Sequence, residues 1–126
     1  MAHGAEPFET LRVADIGDVA TNPYSVPKSI AAIEKFYDEI LSHNCRPLSM
    51  GGDHTVVLPI LRAMKRKYGP VALIHVDAHA DFTNIMAGER ITHGTPFYRA
   101  VEEDLLDCKR VSQIGIRVGY SPDDWE

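Results

Sequence analysis

An α/β fold built on a parallel sheet is what this sequence predicts, and three observations carry that prediction. Apolar residues recur at spacings of three and four in two segments, the mark of helices with one buried face. Between them and the C-terminus lies a nearly continuous apolar run, Val71-Ala72-Leu73-Ile74-His75-Val76, bounded by Gly69-Pro70 and Asp77. A run of that kind suits a strand covered on both faces, as in parallel sheets. Segments of the two types also alternate along the chain as strand, helix, strand, helix, strand, helix, strand, which places helices on the faces of such a sheet.

Residues 1–27 are rich in Gly, Pro, Asn and Asp, with one apolar stretch at 11–16 that reads as a strand ending at Gly17-Asp18. A helix over 28–43 follows. Pro27 and Ser29 lie near its start, Ile30, Ile33, Phe36, Tyr37, Ile40 and Leu41 line its buried face, and His43-Asn44 ends it. The short apolar run at 47–50 reads as a strand reaching a sharp turn at Gly51-Gly52. Val56, Val57, Ile60, Leu61 and Met64 restore the helical period to Lys67, with Pro59 near the first turn, where it is tolerated. After the strand at 71–76, residues 82–95 read as irregular. Pro96 opens a helix carrying Phe97, Ala100, Val101 and Leu105, Lys109-Arg110 closes it, and 111–116 reads as a further strand. Tyr120 to Glu126 is loop-like.

The composition bounds the function. With 44% hydrophobic and 25% charged residues, the chain is neither a charged disordered polymer nor a membrane span, since no apolar run approaches the ~20 residues a bilayer needs. The first ten residues show neither a basic region nor an apolar core, so no secretory signal is visible. Thirteen basic against eighteen acidic side chains, a net charge of −5, disfavours a nucleic-acid backbone as partner. Cys45 and Cys108 form no C-x-x-C motif and read as buried, reduced, structural thiols.

Three segments carry chemistry. Asp77-Ala78-His79-Ala80-Asp81 sits at the carboxyl end of the most apolar strand, where ligands bind in open α/β sheets. If extended geometry continues, residues 77, 79 and 81 share one side. Two carboxylates there repel each other and pay desolvation, a conflict that a divalent cation resolves. A surface Asp/His loop without a ligand is the alternative. In Gly51-Gly52-Asp53-His54-Thr55, Asp53 caps a helix or orients His54, and His54 either faces the Asp77 cluster or is incidental. In His93-Gly94-Thr95-Pro96-Phe97, His93 is a solvated loop residue or a proton shuttle beside a metal site. His75 reads as a core histidine or as a group behind the ligands.

The order Gly-Gly-Asp-His, Asp-Ala-His-Ala-Asp, His-Gly-Thr-Pro-Phe resembles the ureohydrolases: arginases, agmatinases and related guanidino-acid hydrolases. The likeness runs from Val13-Ala14-Asp15-Ile16-Gly17-Asp18-Val19 to Gln113-Ile114-Gly115-Ile116-Arg117, and the HGTPF form leans toward agmatinases and guanidinobutyrases. It implies a three-layer, arginase-like α/β fold with a parallel sheet, of which residues 1–126 form a part. It also implies a site for two Mn²⁺ ions. His54 matches a ligand of one metal, Asp77 a carboxylate serving both, His79 a ligand of the second and Asp81 a ligand of the first. His93 matches the histidine that transfers protons. The implied reaction hydrolyses a linear guanidino compound, agmatine or 4-guanidinobutyrate, to urea and an amine. The implied partners are that small substrate and further copies of the full-length chain, with no nucleic acid or membrane, in the cytoplasm or mitochondrion.

The family pattern also holds a later Asp-x-Asp pair that this sequence does not display. Asp123-Asp124 is no substitute, because adjacent residues on an extended chain face opposite ways. Four of six family ligands are therefore present, the second metal is expected to bind weakly, and the chain is expected to be weakly active or inactive alone. The alternative is a catalytically inactive remnant that acts as a binding or oligomerisation module.

Overall fold

The computed structural model describes residues 4 and 6–118; the expectations for Tyr120 to Glu126 and for Asp123-Asp124 lie outside them. Its elements are α1 (Pro7–Thr10), α2 (Val26–Ser42), a 3-10 turn (His54–Val56), α3 (Val57–Tyr68), β1 (Val71–Val76), α4 (Pro96–Glu102) and β2 (Leu106–Ile114). β1 and β2 pair in parallel. The α/β class and the parallel sheet are as predicted, with two strands among the described residues.

Local chemistry sets the helix ends. Ser25 caps α2, its hydroxyl accepting from the Lys28 N–H at 3.4 Å, so the helix starts two residues earlier than the expected 28. Ser29 instead ties the helix to the preceding loop, donating to the Asn22 carbonyl at 3.0 Å. Asp53 caps the 3-10 turn, accepting from the Thr55 N–H at 2.7 Å. α4 ends earlier than expected. Asp104 adopts φ +54°, and the N–H groups of Asp104 and Leu105 turn back to the Val101 and Ala100 carbonyls at 2.9 and 2.8 Å. That is the Schellman closure, here with Asp in the left-handed position. Leu105 therefore leaves the helix, and β2 begins at Leu106 rather than 111.

Two apolar clusters hold these elements. Ile33, Tyr37, Leu41 and Ala63 close the α2–α3 seam. Leu58, Leu61, Phe97, Ala100, Leu105 and Leu106 join α3 and α4 to the sheet, flanked by Val71, Leu73 and Val111. The sheet register slips early: β1 advances two residues from Val71 to Leu73 while β2 advances five, from Leu106 to Val111. The surplus bulges outward, where Arg110 donates to Asp107 at 2.6 Å.

Four expectations are corrected. Residues 11–16 and 47–50 form no strand, because no neighbouring strand offers them hydrogen bonds; Leu48 and Met50 are almost fully exposed. β1 is covered on one face only: His75 is buried, while Ile74 and Val76 are 75% and 73% exposed. The helices that contact β1 sit on its inner side. Both cysteines are free and exposed rather than buried, Cys45 in the loop after α2 and Cys108 in the β2 bulge.

Candidate metal centre

The site forms where β1 runs out. After Val76 the chain bends instead of continuing extended, and Asp81 adopts φ +47°, so the expected alternation of 77, 79 and 81 does not occur. The loop is pinned from two sides. From β2, the Asp77 N–H donates to the Ile114 carbonyl at 3.1 Å, and the Arg117 N–H donates to the Ala78 carbonyl at 3.0 Å. Gly115 permits this approach: its φ is +91°, and a Cβ there would lie 3.2 Å from the Asp77 carbonyl oxygen. From α4, the Phe97 N–H donates to the Asp81 carbonyl at 3.2 Å.

His54, at the head of the 3-10 turn, meets this loop across 27 residues of sequence. Its Nδ1 hydrogen-bonds Asp81 Oδ2 and lies 3.9 Å from Asp77 Oδ2. The two Asp77 oxygens face different histidines. Oδ2 points toward His54 and toward His75 Nε2 at 3.4 Å, whereas Oδ1 lies 3.5 Å from His79 Nδ1. His79 is 59% exposed, so its ring is at the outer rim. His93 is exposed in the turn before α4, and among the described residues it shares no hydrogen bond or ion pair with the other four candidates. Its turn is held by Thr95, fully buried, whose hydroxyl accepts from the Thr92 N–H at 2.9 Å and donates to the Thr92 carbonyl at 3.1 Å.

Two contributors lie outside the expected set. Phe97, anticipated only as a core residue, packs under both imidazoles, with ring centroids 4.5 Å from His75 and 5.4 Å from His54. Gln113 sits opposite His75 in the sheet register and hydrogen-bonds it. The buried His75, left open as core or supporting histidine, is placed against Asp77.

The electrostatics favour a cation. The His79 backbone N–H, donating to Asp77 Oδ1 at 2.9 Å, holds that carboxyl below the ordinary range, and the nearby His75 imidazole adds to the effect. Burial pushes His75 below its ordinary value, and proximity to His54 pushes it further, which favours the neutral imidazole over the charged one. Ionised carboxylate beside neutral imidazole is the state that ligates metals. Atoms of His54, His75 and Asp77 lie within 4.8 Å of one another and Asp81 Oδ2 hydrogen-bonds His54, so carboxylate oxygens and imidazole nitrogens converge as a divalent cation requires, whichever of the two imidazoles ligates, and the mixed set suits Mn²⁺ as well as other divalent cations.

A parallel α/β unit with this His/Asp cluster at a strand end defines a class, and comparison with known proteins identifies it. The sequence profile of the arginase family matches residues 1–126, and the chain belongs to that family. It is 60% identical to the guanidinobutyrase of Pseudomonas aeruginosa over 126 residues, 99% of this chain and 40% of that protein. It is 52% identical to the mitochondrial agmatinase of Gallus gallus over 124 residues, 98% of this chain and 36% of that one. The crystal structure of a hypothetical agmatinase from Burkholderia thailandensis superposes with a TM-score of 0.86 at 39% identity, covering 96% of this chain and 38% of its own. The chain thus spans about 40% of the length of the relatives it matches.

Proposed function

We propose that this chain carries the metal-binding half of a guanidino hydrolase site, in which His54, Asp77, His79 and Asp81 hold Mn²⁺. One observation carries the reading: the two oxygens of Asp77 face two different histidines, His54 and His79, as a carboxylate shared between two cations requires. When bound, the metal supplies the Lewis acidity that makes water a nucleophile near neutral pH. The substrate is a linear guanidino compound, agmatine or 4-guanidinobutyrate, whose delocalised cation is a poor electrophile. Asp81 fixes His54 through its Nδ1, and Phe97 keeps solvent from the inner side of both imidazoles. His93, exposed on its turn, is the group that gives a proton to the departing amine.

Four side chains match the family ligands where six are implied, so residues 1–126 represent part of the catalytic domain. One ion is held more firmly than a second, and the chain alone is weakly active or inactive. The full-length protein forms homo-oligomers and resides in the cytoplasm or mitochondrion; among the described residues no helix is long and apolar enough to cross a membrane. The test is to titrate the purified chain with Mn²⁺ by electron paramagnetic resonance and to assay urea release from both substrates. Saturable Mn²⁺ binding with little urea is expected. No saturable binding overturns the site, and turnover in the usual range of 1–10³ s⁻¹ overturns the assignment of weak activity.

A further inference from the structure

The buried His75 lies against His54 and Asp77 of the proposed centre, and the geometry points to it as a positioning residue: we infer that Gln113 fixes His75 as the Nε2–H tautomer, which donates to Asp77 and aims that carboxylate. The inference rests on the metal site proposed above. Gln113 Nε2 lies 3.0 Å from the Ala80 carbonyl oxygen, which can only accept, so the nitrogen end of the amide must face inward. The same nitrogen lies 3.1 Å from His75 Nδ1. An amide –NH₂ has two hydrogens, and both are now directed, one to each acceptor. His75 Nδ1 therefore accepts, and a neutral imidazole that accepts at Nδ1 carries its proton on Nε2.

Among the described residues that proton has one destination. His75 is 6% exposed, its Nε2 has no well-formed hydrogen bond to protein, and Asp77 Oδ2 is 3.4 Å away. A small rotation of the carboxylate shortens this contact. A protonated Nε2 cannot ligate a metal, which separates His75 from His54 and His79 despite its proximity to them. It does what the partner of a ligating carboxylate does elsewhere: it restrains rotation and leaves the remaining lone pairs aimed outward. Phe97, with its ring centroid 4.5 Å from that of His75, prevents the imidazole from turning away. The chain Ala80–Gln113–His75–Asp77 also ties the site loop to β2 at a second point beyond the backbone bonds.

The test reads the tautomer and metal affinity separately. Two-bond ¹H–¹⁵N correlation spectra of the metal-free chain, assigned with His75→Phe, should show His75 as the Nε2–H form, and Gln113→Leu should shift it to a mixture. Mn²⁺ affinity, from electron paramagnetic resonance, should fall about 10–100-fold in His75→Phe and in Gln113→Leu. His75→Gln places an amide N–H near the Nε2 position and should retain affinity to within about threefold of the parent, a rescue that a packing role does not give. Circular dichroism restricts the comparison to variants that keep the parent fold. An Nδ1–H tautomer in the parent chain, unchanged affinity in His75→Phe, or equal losses in His75→Phe and His75→Gln would each overturn the inference. Failure of the parent chain itself to bind Mn²⁺ would overturn the proposed metal site, and the tautomer would then be the surviving result.

Discussion

Helices α2 and α3 close their own seam, whereas the β1–β2 sheet is packed on one side and open on the other. Between the helices, Ile33, Tyr37, Leu41 and Ala63 are buried, and ion pairs cross the seam above them. Arg62 donates twice to Glu103 at 2.6 Å and once to Glu34 at 3.0 Å, and Arg66 donates to Glu34 and twice to Asp38 at 2.9–3.0 Å. These pairs tie α3 to Glu34 and Asp38 of α2, and Arg62 also ties α3 to Glu103 at the end of α4, so each joins two elements rather than supporting one helix. In the sheet, Ile74, Val76 and Ile114 are exposed and the polar groups are concentrated at one end. There, Asp77 and Asp81 meet His54, His75 and His79, and among the described residues no Lys or Arg pairs with either carboxylate. The first region spends its polar groups on stability, and the second holds them ready for a ligand.

The largest expected effect breaks the second region and spares the first. Asp77→Asn removes the carboxylate that His54, His75 and His79 all face, so Mn²⁺ affinity should fall by more than the ~100-fold that marks loss of a supporting partner. Hydrogen exchange in α2 and α3 should be unchanged. Loss of protection in those helices would show that the two regions are one cooperative unit.

A deletion at their junction should affect both. Leu58 is fully buried and belongs to the cluster that joins α3 and α4 to the sheet. Leu58→Ala should cost about 2–5 kcal/mol in urea denaturation, the lower end if the site collapses around the cavity. Because Phe97 lies in the same cluster beneath the histidines, Mn²⁺ binding should weaken as well.

How much of this was legible in the sequence follows the same division. Helices α2 and α3 were readable because their periodicity is local, and the start of α2 was misplaced by only two residues, at 28 rather than at Val26 after the Ser25 cap. Strands need a partner that sequence does not reveal, so the apolar runs at 11–16 and 47–50 looked like strands and are not. The end of α4 was missed because the left-handed position is Asp104, where a glycine is the usual signal. His54, Asp77 and Asp81 were legible as chemistry, but the route was not: Asp81 reaches His54 because the loop leaves extended geometry, not because alternation continues. Gln113 was visible only at the edge of the family likeness, and its role was not, since its pairing with His75 depends on the three-residue slip in the sheet register.

A smaller effect sharpens the account of the helical seam. Arg62 is held in a two-pronged contact with Glu103, with side-chain exposures of 24% and 33%. The pair holds the guanidinium well above its ordinary range, with the Glu103 hydrogen bonds as the leading cause. Arg62→Lys keeps the charge and loses the fork, so about 1 kcal/mol should be lost, little more than for exposed pairs. A double-mutant cycle with Glu103→Gln checks the coupling. A coupling indistinguishable from zero would mean that this ion pair adds nothing to the join between α3 and the end of α4.

The smallest expected effect is a pH dependence confined to the helical seam. Tyr37 is 5% exposed, and burial pushes its phenol above the ordinary value of 10. The folded state therefore keeps the proton at pH values where the unfolded chain has lost it. Between the two values the unfolded state binds fewer protons than the folded state, so stability falls as pH rises. Below pH 10 both states are protonated and the contribution is complete; it is lost as pH climbs through the raised value. Tyr37→Phe tests this, since it removes the phenol titration while preserving the ring among Ile33, Leu41 and Ala63. Urea denaturation at pH 8, 10 and 11 should give a steeper loss in the parent chain than in Tyr37→Phe, with the two profiles parallel below pH 9. Identical slopes above pH 10 would mean that the phenol reaches solvent in the folded state and that the α2–α3 seam opens more readily than the sheet end it supports.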